Sequence, residues 1–225
     1  MKKAIGIALC VMVLAFAGIA SAGDGGFYGS IKAGGSFLDA TKSSSTNSTA
    51  TGASSKFKTD SSFAVGGAVG YNWMDYDVPV RTELEYMYRG DFKYRYTDSN
   101  STLTDKIDLH TLMLNGYWDF YNSTDFTPYI NGGVGIAWVE EKFSTGTITD
   151  ALTSPGSKTS TNFAFNLGAG VGWSMTDSIL LDLAYRYNYF GNGKSVTATG
   201  TTKTVTSKVK NIGTHDVLVG LRYQF

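Results

Sequence analysis

Along most of the chain, large apolar residues recur at every second position, the period of a strand whose two faces differ, while the 3.6-residue period of an amphipathic helix is nearly absent. Eight segments carry this alternation, at 26–37, 62–73, 78–92, 106–120, 126–142, 162–175, 178–190 and 209–225. Most exceed the ~9–11 residues that a tilted strand needs to cross a bilayer. The connections alternate in length. Those at 74–77, 121–125 and 176–177 are tight, and those at 38–61, 93–105, 143–161 and 191–208 are long and rich in Ser, Thr, Gly, Asn and Lys. Short turns at one end and long loops at the other predict an all-β fold, an eight-stranded antiparallel up-and-down barrel with both chain ends on the short-turn side.

Alternation alone would suit a water-soluble barrel equally well, so the decision rests on residue size. In the seventh segment Leu181, Leu183, Tyr185, Tyr187 and Tyr189 share one face, and Asp182, Ala184, Arg186 and Asn188 share the other. In the sixth, Phe163, Phe165, Leu167, Val171 and Trp173 oppose Ala164, Asn166, Gly168, Gly170, Gly172 and Ser174. A solvated face would carry Lys, Glu and Thr. The polar face here is largely small instead, as the cramped inside of an eight-stranded barrel requires. The bulky apolar face therefore points outward, where lipid is its stable solvent and barrel closure pairs every backbone group. The expectation is a transmembrane β-barrel.

Aromatic placement agrees with that orientation. Trp73, Trp118 and Trp173 each end an even-numbered segment beside a short turn, and Phe225 ends the eighth. Trp138, Tyr94, Tyr96 and Tyr189 fall near the long-loop ends, giving the second of two girdles at headgroup level. The second and sixth segments also align, Phe63-Ala64 to Trp73 against Phe163-Ala164 to Trp173, with Gly70 matching Gly170. Four coincident positions indicate shared architecture and are too few to establish a duplication.

The N-terminus reads differently. Lys2 and Lys3 precede an apolar run from Ala4 to Ile19 and an Ala20-Ser21-Ala22 ending, which predicts a signal peptide over 1–22 and a barrel domain over 23–225. Cys10, the only cysteine, would leave with it, removing disulfides and thiolate chemistry. The 225 residues include 19 Lys and Arg and 19 Asp and Glu; without Lys2 and Lys3 the balance is 17 against 19. Such a balance gives no electrostatic basis for a nucleic acid partner. The slightly negative mean hydropathy excludes a polytopic helical membrane protein.

The terminal stretch Val217-Leu218-Val219-Gly220-Leu221-Arg222-Tyr223-Gln224-Phe225 resembles the signal by which bacterial outer membrane proteins are handed to the barrel-assembly machinery, with Val219, Leu221, Tyr223 and Phe225 as its alternating apolar residues. Thr127-Pro128-Tyr129-Ile130-Asn131-Gly132-Gly133-Val134-Gly135 and the opening Gly26-Phe27-Tyr28-Gly29 resemble the porin-family outer membrane β-barrel domain that includes opacity-type surface proteins. The plan is similar to the N-terminal barrel of outer membrane protein A and to outer membrane protein X. The resemblance implies a bacterial outer membrane location with periplasmic termini. Unlike outer membrane protein A, the sequence stops at the barrel, so no peptidoglycan-binding domain is expected. It identifies architecture better than activity.

Candidate chemistry is confined to three places. On the inward parity lie Lys32, Arg81, Glu83, Glu85, Asp182, Arg186 and Arg222, which predicts an interior salt-bridged network. On the lipid face each Arg or Lys would cost about 2–4 kcal/mol at midplane. The network reads either as a gate in a narrow channel or as a polar plug, and the small bore favours the plug. His110 and His215 are the only histidines, so a nucleophilic triad or metal site would have to use them. Each lies ten residues before a terminal aromatic, Phe120 or Phe225, facing outward by parity, and neither has a serine beside it. The expectation is therefore no catalytic residue, no metal and no cofactor.

The loops supply the rest. Loop 38–61 contains Ser43-Ser44-Ser45-Thr46-Asn47-Ser48-Thr49, and Lys194, Lys203, Lys208 and Lys210 make the last loop locally basic. That patch reads either as a contact for lipopolysaccharide phosphates or an acidic host molecule, or as a soluble cap. The alternating Ser-Val-Thr-Ala-Thr and Thr-Lys-Thr-Val-Thr stretches predict a hairpin beyond the membrane. The function expected is a non-enzymatic surface barrel displaying four loops toward the envelope or a host. A small gated passive channel is the alternative, and a lipid A-modifying enzyme ranks behind both.

Overall fold

Each strand pairs antiparallel with the next, and β1 (Gly26–Asn47) pairs with β9 (Thr204–Gln224) to close the ring. Between them run β2 (Ser61–Asn72), β3 (Val80–Asp98), β4 (Ser101–Asp119), β5 (Phe126–Ile148), β6 (Ser157–Ser174) and β7 (Ile179–Tyr189). A short β8 (Val196–Thr199) pairs with the outer part of β9. The result is a closed eight-stranded antiparallel barrel with one added edge strand. This computed structural model describes residues 26–47, 61–98, 101–148, 157–192, 196–199 and 204–225. The expected signal peptide, Cys10, Ser48, Thr49, Lys194 and Lys203 lie outside the described residues, as do the side chains of Tyr94, Tyr96, Lys208 and Lys210.

The short turns are fixed by local polar groups. Asn72 caps a single 3₁₀ turn, Trp73–Tyr76, its side chain accepting from Met74 N at 3.2 Å, and Asp77 ends the turn in the left-handed region at φ 56°. In the next turn Asn122 Oδ1 accepts from Thr124 N at 2.8 Å and its Nδ2 donates to the Phe126 carbonyl at 2.8 Å. Thr176 Oγ1 accepts from Ile179 N at 3.0 Å in the third.

The long-loop end departs from the sequence expectation. Segments 38–47, 93–98, 101–105, 143–148 and 157–161, read above as loop, are paired strand. Hydrophobic alternation marks only the part of a strand that touches lipid. Beyond that part the ladder continues while the sequence turns to Ser, Thr and Lys, so the pattern fades although the pairing does not. Two ribbons rise in this way, β9–β1 up to the Asn47–Thr204 pair and β3–β6 up to the Ser101–Ile148 pair. Both carry a register shift, between Asp39 and Thr41 and between Arg89 and Phe92. The hairpin expected in the last loop is present as β8 with β9.

Burial confirms which face is which. Leu167, Leu183 and Leu114 are 62%, 53% and 58% exposed, whereas Arg186 and Glu85 are each 1% exposed. A water-soluble fold would reverse those values; a lipid-embedded barrel requires them. The lining is less uniformly small than the sixth strand suggested. Tyr28, Met87, Tyr117, Tyr129 and Leu218 are buried inside, and glycines on neighbouring strands make room for them. A methyl group at Gly70 would lie 2.6 Å from the Tyr28 hydroxyl, and one at Gly170 would lie 2.6 Å from the Tyr129 hydroxyl.

Candidate functional site

The lumen is filled in layers, each set by the inward parity of its strands. Nearest the short turns, Arg81 makes a bidentate pair with Asp119, Nε to Oδ2 at 2.6 Å and Nη2 to Oδ1 at 2.8 Å. Its guanidinium lies 4.5 Å from the Tyr117 ring centre and 5.0 Å from that of Tyr129. Arg222 pairs with Asp182 at 3.4 Å on the same level. Just outside the strands, burial and the nearby Asp119 carboxylate push the Tyr121 hydroxyl above the ordinary tyrosine value.

The middle layer joins opposite walls. Lys32 Nζ donates to Glu83 Oε1 at 2.5 Å and to Glu85 Oε2 at 2.6 Å, while Arg186 Nη1 reaches Glu85 Oε1 at 2.5 Å. The Tyr117 hydroxyl donates to Glu83 at 2.8 Å and accepts from Lys32 and Arg186 at 3.1 and 3.2 Å. Above it, Arg89 donates to Asp216 Oδ2 from Nε at 3.0 Å and from Nη2 at 2.7 Å. Ser36 and Asn188 also donate to that carboxylate, at 2.6 and 2.9 Å.

All seven interior charges expected from the sequence are buried and paired with opposite charges, although in three separate groups rather than one cluster. Three further members, Arg89, Asp119 and Asp216, were missed. Parity could have found them: Arg89 shares that of Arg81, Glu83 and Glu85, and Asp216 shares that of Arg222. Five cations (Lys32, Arg81, Arg89, Arg186, Arg222) now face five anions (Glu83, Glu85, Asp119, Asp182, Asp216), so these paired groups carry no net charge.

Above the ion pairs the lining turns apolar. Leu38, Phe92, Leu109, Met113, Val139, Phe190 and Ile212 pack together with Ala137 and Ala164 across the bore. Among the ion pairs, a cavity of about 10 Å³ bordered by Lys32, Arg81, Glu83, Asp182 and Arg186 has room for little more than one water. Charged and apolar layers together occupy the described lumen.

The outer wall carries the aromatics. Trp73, Trp118 and Trp173 are 40%, 49% and 41% exposed at the short-turn end, and Trp73 Nε1 donates to Thr82 Oγ1 at 3.0 Å. Trp138 and Tyr189 are half-buried at the other end, where the Tyr189 hydroxyl donates to Asn211 at 3.4 Å. Val219, Leu221 and Tyr223 face outward, and Phe225 is half-buried with its N–H donating to the Phe27 carbonyl at 3.0 Å.

The two histidines also sit on this wall. His110 Nδ1 lies 2.7 Å from the Tyr86 hydroxyl, and His215 Nδ1 lies 2.6 Å from that of Tyr185. They are on β4 and β9, four strands apart in the ring, and do not form a shared site. Among the described residues no group of three or more His, Cys, Asp or Glu side chains is arranged to hold a metal ion.

Comparison with known proteins gives a consistent picture. Residues 6–225 match the family described as outer membrane protein beta-barrel domain. The chain is 32% identical over 180 residues to outer membrane protein PagN of Salmonella typhimurium, covering 75% of each. It is 29% identical over 211 residues to the Rickettsia conorii protein named "Putative adhesin RC1281", covering 88% of this chain and 81% of that one. Among solved structures, OprG of Pseudomonas aeruginosa superposes with a TM-score of 0.61 at 15% identity, covering 92% of this chain and 100% of that one. Neisserial surface protein A gives 0.57 at 18% identity, covering 88% and 97%.

Proposed function

The chain belongs to the outer membrane protein beta-barrel domain family and is a protein of the bacterial outer membrane; from that premise we propose that it works as a non-enzymatic surface protein whose plugged barrel holds recognition loops rigidly outside the cell. The observation that carries this reading is the filled lumen. Five cations balanced by five anions and an apolar layer occupy the space a transported solute would need. That filling argues against the channel reading. The unspent part of the molecule is the pair of ribbons. Asn47 lies ten residues beyond Phe37, so β1 alone extends about 25 Å past the level of Phe37. Similarity to PagN and to a Rickettsia protein named as an adhesin supports attachment as the role of those ribbons.

The remaining assignments follow from this one. Residues 1–22 direct export and are removed; the short turns and both ends of the barrel domain face the periplasm. Val219, Leu221, Tyr223 and Phe225 are presented to the barrel-assembly machinery. Trp73, Trp118, Trp173, Trp138 and Tyr189 hold the barrel at the two headgroup levels. The basic stretch with Lys194, Lys203, Lys208 and Lys210 contacts lipopolysaccharide or a host ligand.

The test replaces the tips 48–60, 149–156 and 193–203 with Gly-Ser linkers in the full chain, displayed on a non-adherent bacterium. The barrel should still show its heat-modifiable gel shift, while attachment to host cells falls to the level of the empty strain. Undiminished attachment with all three tips replaced would overturn the reading.

A further inference from the structure

A groove of about 220 Å³ opens on the outer wall near the short turns. Two rungs of strand pairing line it. Phe27, Tyr71 and Thr82 stand directly opposite one another in the lower rung, and Val69, Leu84 and Leu114 in the upper. Phe225 lines it beside Phe27, whose carbonyl takes the Phe225 N–H. Past Thr82 the lower rung continues as Gly116 and Gly132, and a methyl group at Gly116 would meet nothing nearer than 3.9 Å. Leu114 is four residues above Trp118 on β4. At ~3.4 Å per residue and a ~40° tilt, the groove reaches about 10 Å into the hydrocarbon band from the short-turn girdle.

From the groove a shelf of rings leads to the first turn. Phe27 meets Tyr71, and Tyr71 meets Trp73, each edge to face at 4.9 Å, and the Trp73 and Tyr76 rings are 6.1 Å apart. The Tyr71 hydroxyl donates to Oδ2 of the exposed Asp75 at 3.3 Å. Trp73 Nε1 donates to Thr82 Oγ1 at 3.0 Å, which leaves the Thr82 proton for another acceptor. Charge at this end has one sign. Among the described residues the short turns expose Asp75, Asp77, Asp125 and Asp177, while Arg81 and Arg222 are buried and paired with Asp119 and Asp182.

These features select the occupant. An apolar cavity of roughly 150 Å³ takes up benzene, so one of about 220 Å³ admits a stretch of acyl chain. A second copy would stand parallel in the membrane and bring its own aspartates to the same level, where the two sets repel. So small a groove also covers far less than the ~800 Å² that each partner of a stable pair buries. An anionic headgroup meets the same repulsion. A primary ammonium is attracted instead, donates to Asp75 and rests against the Trp73 and Tyr76 rings. We propose that groove and turn together bind one molecule of phosphatidylethanolamine. An acyl chain lies between the two rungs, an ester carbonyl accepts from the Thr82 hydroxyl, and the ammonium sits on Asp75. A choline headgroup has no N–H and loses the last contact. This role is additional to loop display and holds whichever side of the membrane the short turns face.

The test mixes the full chain, folded in detergent, with equal amounts of phosphatidylethanolamine, phosphatidylcholine and phosphatidylglycerol of one acyl composition, and weighs the intact protein–lipid complexes by mass spectrometry. One lipid should be retained, the ethanolamine lipid roughly tenfold over either other. Asp75→Asn should lower the ethanolamine lipid to the level of the choline lipid, whereas Asp125→Asn, on the next turn, should leave that preference intact. Leu114→Trp fills the groove and should reduce retention of all three, its heat-modifiable gel shift showing that the barrel still folds. Equal retention of ethanolamine and choline lipids by the wild type, or an unchanged preference in Asp75→Asn, would overturn the proposal.

Discussion

Arg186 on β7 and Glu85 on β3 meet across the bore, Nη1 to Oε1 at 2.5 Å, and both are 1% exposed. Strands on opposite walls are thereby joined through the interior as well as around the ring. Removing Arg186 alone leaves Glu85 with only Lys32 as its cation, and Lys32 must also serve Glu83. Arg186→Ala should therefore destabilise the barrel by about 3–5 kcal/mol, while Arg186→Met with Glu85→Leu recovers most of the loss. Urea unfolding in lipid vesicles measures both; a single variant as stable as wild type would contradict the pairing.

The layered filling also predicts electrical silence. In planar bilayers the wild-type barrel should show no steady openings. Arg186→Ala should stay silent too, because Phe92, Leu109, Met113, Phe190 and Ile212 still span the bore above the vacancy in the ion-pair layer. Steady conductance in either would mean that the apolar layer does not seal.

Leu183 is 53% exposed and its neighbour Ala184 is 8% exposed. Leu183→Arg should cost about 2–4 kcal/mol through charge on the lipid face and lower the folded, heat-modifiable fraction on gels. Leu183→Phe should leave that fraction unchanged. Normal migration of the arginine variant would be incompatible with the outward assignment.

Gly170→Ala places a methyl group 2.6 Å from the Tyr129 hydroxyl and 2.6 Å from its Cζ, with the Leu183 carbonyl at 2.5 Å. Overpacking of this kind costs roughly 1–3 kcal/mol. Adding Tyr129→Leu should relieve the ring contact and leave the backbone clash, so the recovery in urea midpoint is partial. Full stability of Gly170→Ala would show that the wall shifts freely there.

Much of this was legible because lipid imposes a simple code. In β7 each position from Leu181 to Tyr189 declares its side by size and polarity, and all of the charges assigned inward are inward. What escaped detection lay where that code lapses. In the 93–98 and 101–105 segments the sequence is mostly polar, so paired strands read as loop. Asp119 is harder to place, because Asp108 and His110 share a parity with Leu112 and Leu114 and polarity does not separate the faces of β4.

Positions that correspond on opposite sides of the barrel share no single spacing, for a different reason. The offset is 100 residues from Phe63 to Phe163, 101 from Tyr28 to Tyr129, 99 from Tyr86 to Tyr185 and 105 from His110 to His215. Turns of unequal length shift each strand separately, so a single spacing exposes only the β2–β6 match. Strand pairing restores the others to one height.

Asp216 takes hydrogen bonds from Ser36 on β1, Arg89 on β3 and Asn188 on β7 while standing on β9. It is a latch as much as a lining residue. The seam between first and last strands cannot zip without bringing Ser36 on β1 and Arg89 on β3 to this carboxylate on β9 in the same movement. Ring closure and charge neutralisation thus become one cooperative event, and an open, half-zipped sheet is penalised by every ion it leaves stranded.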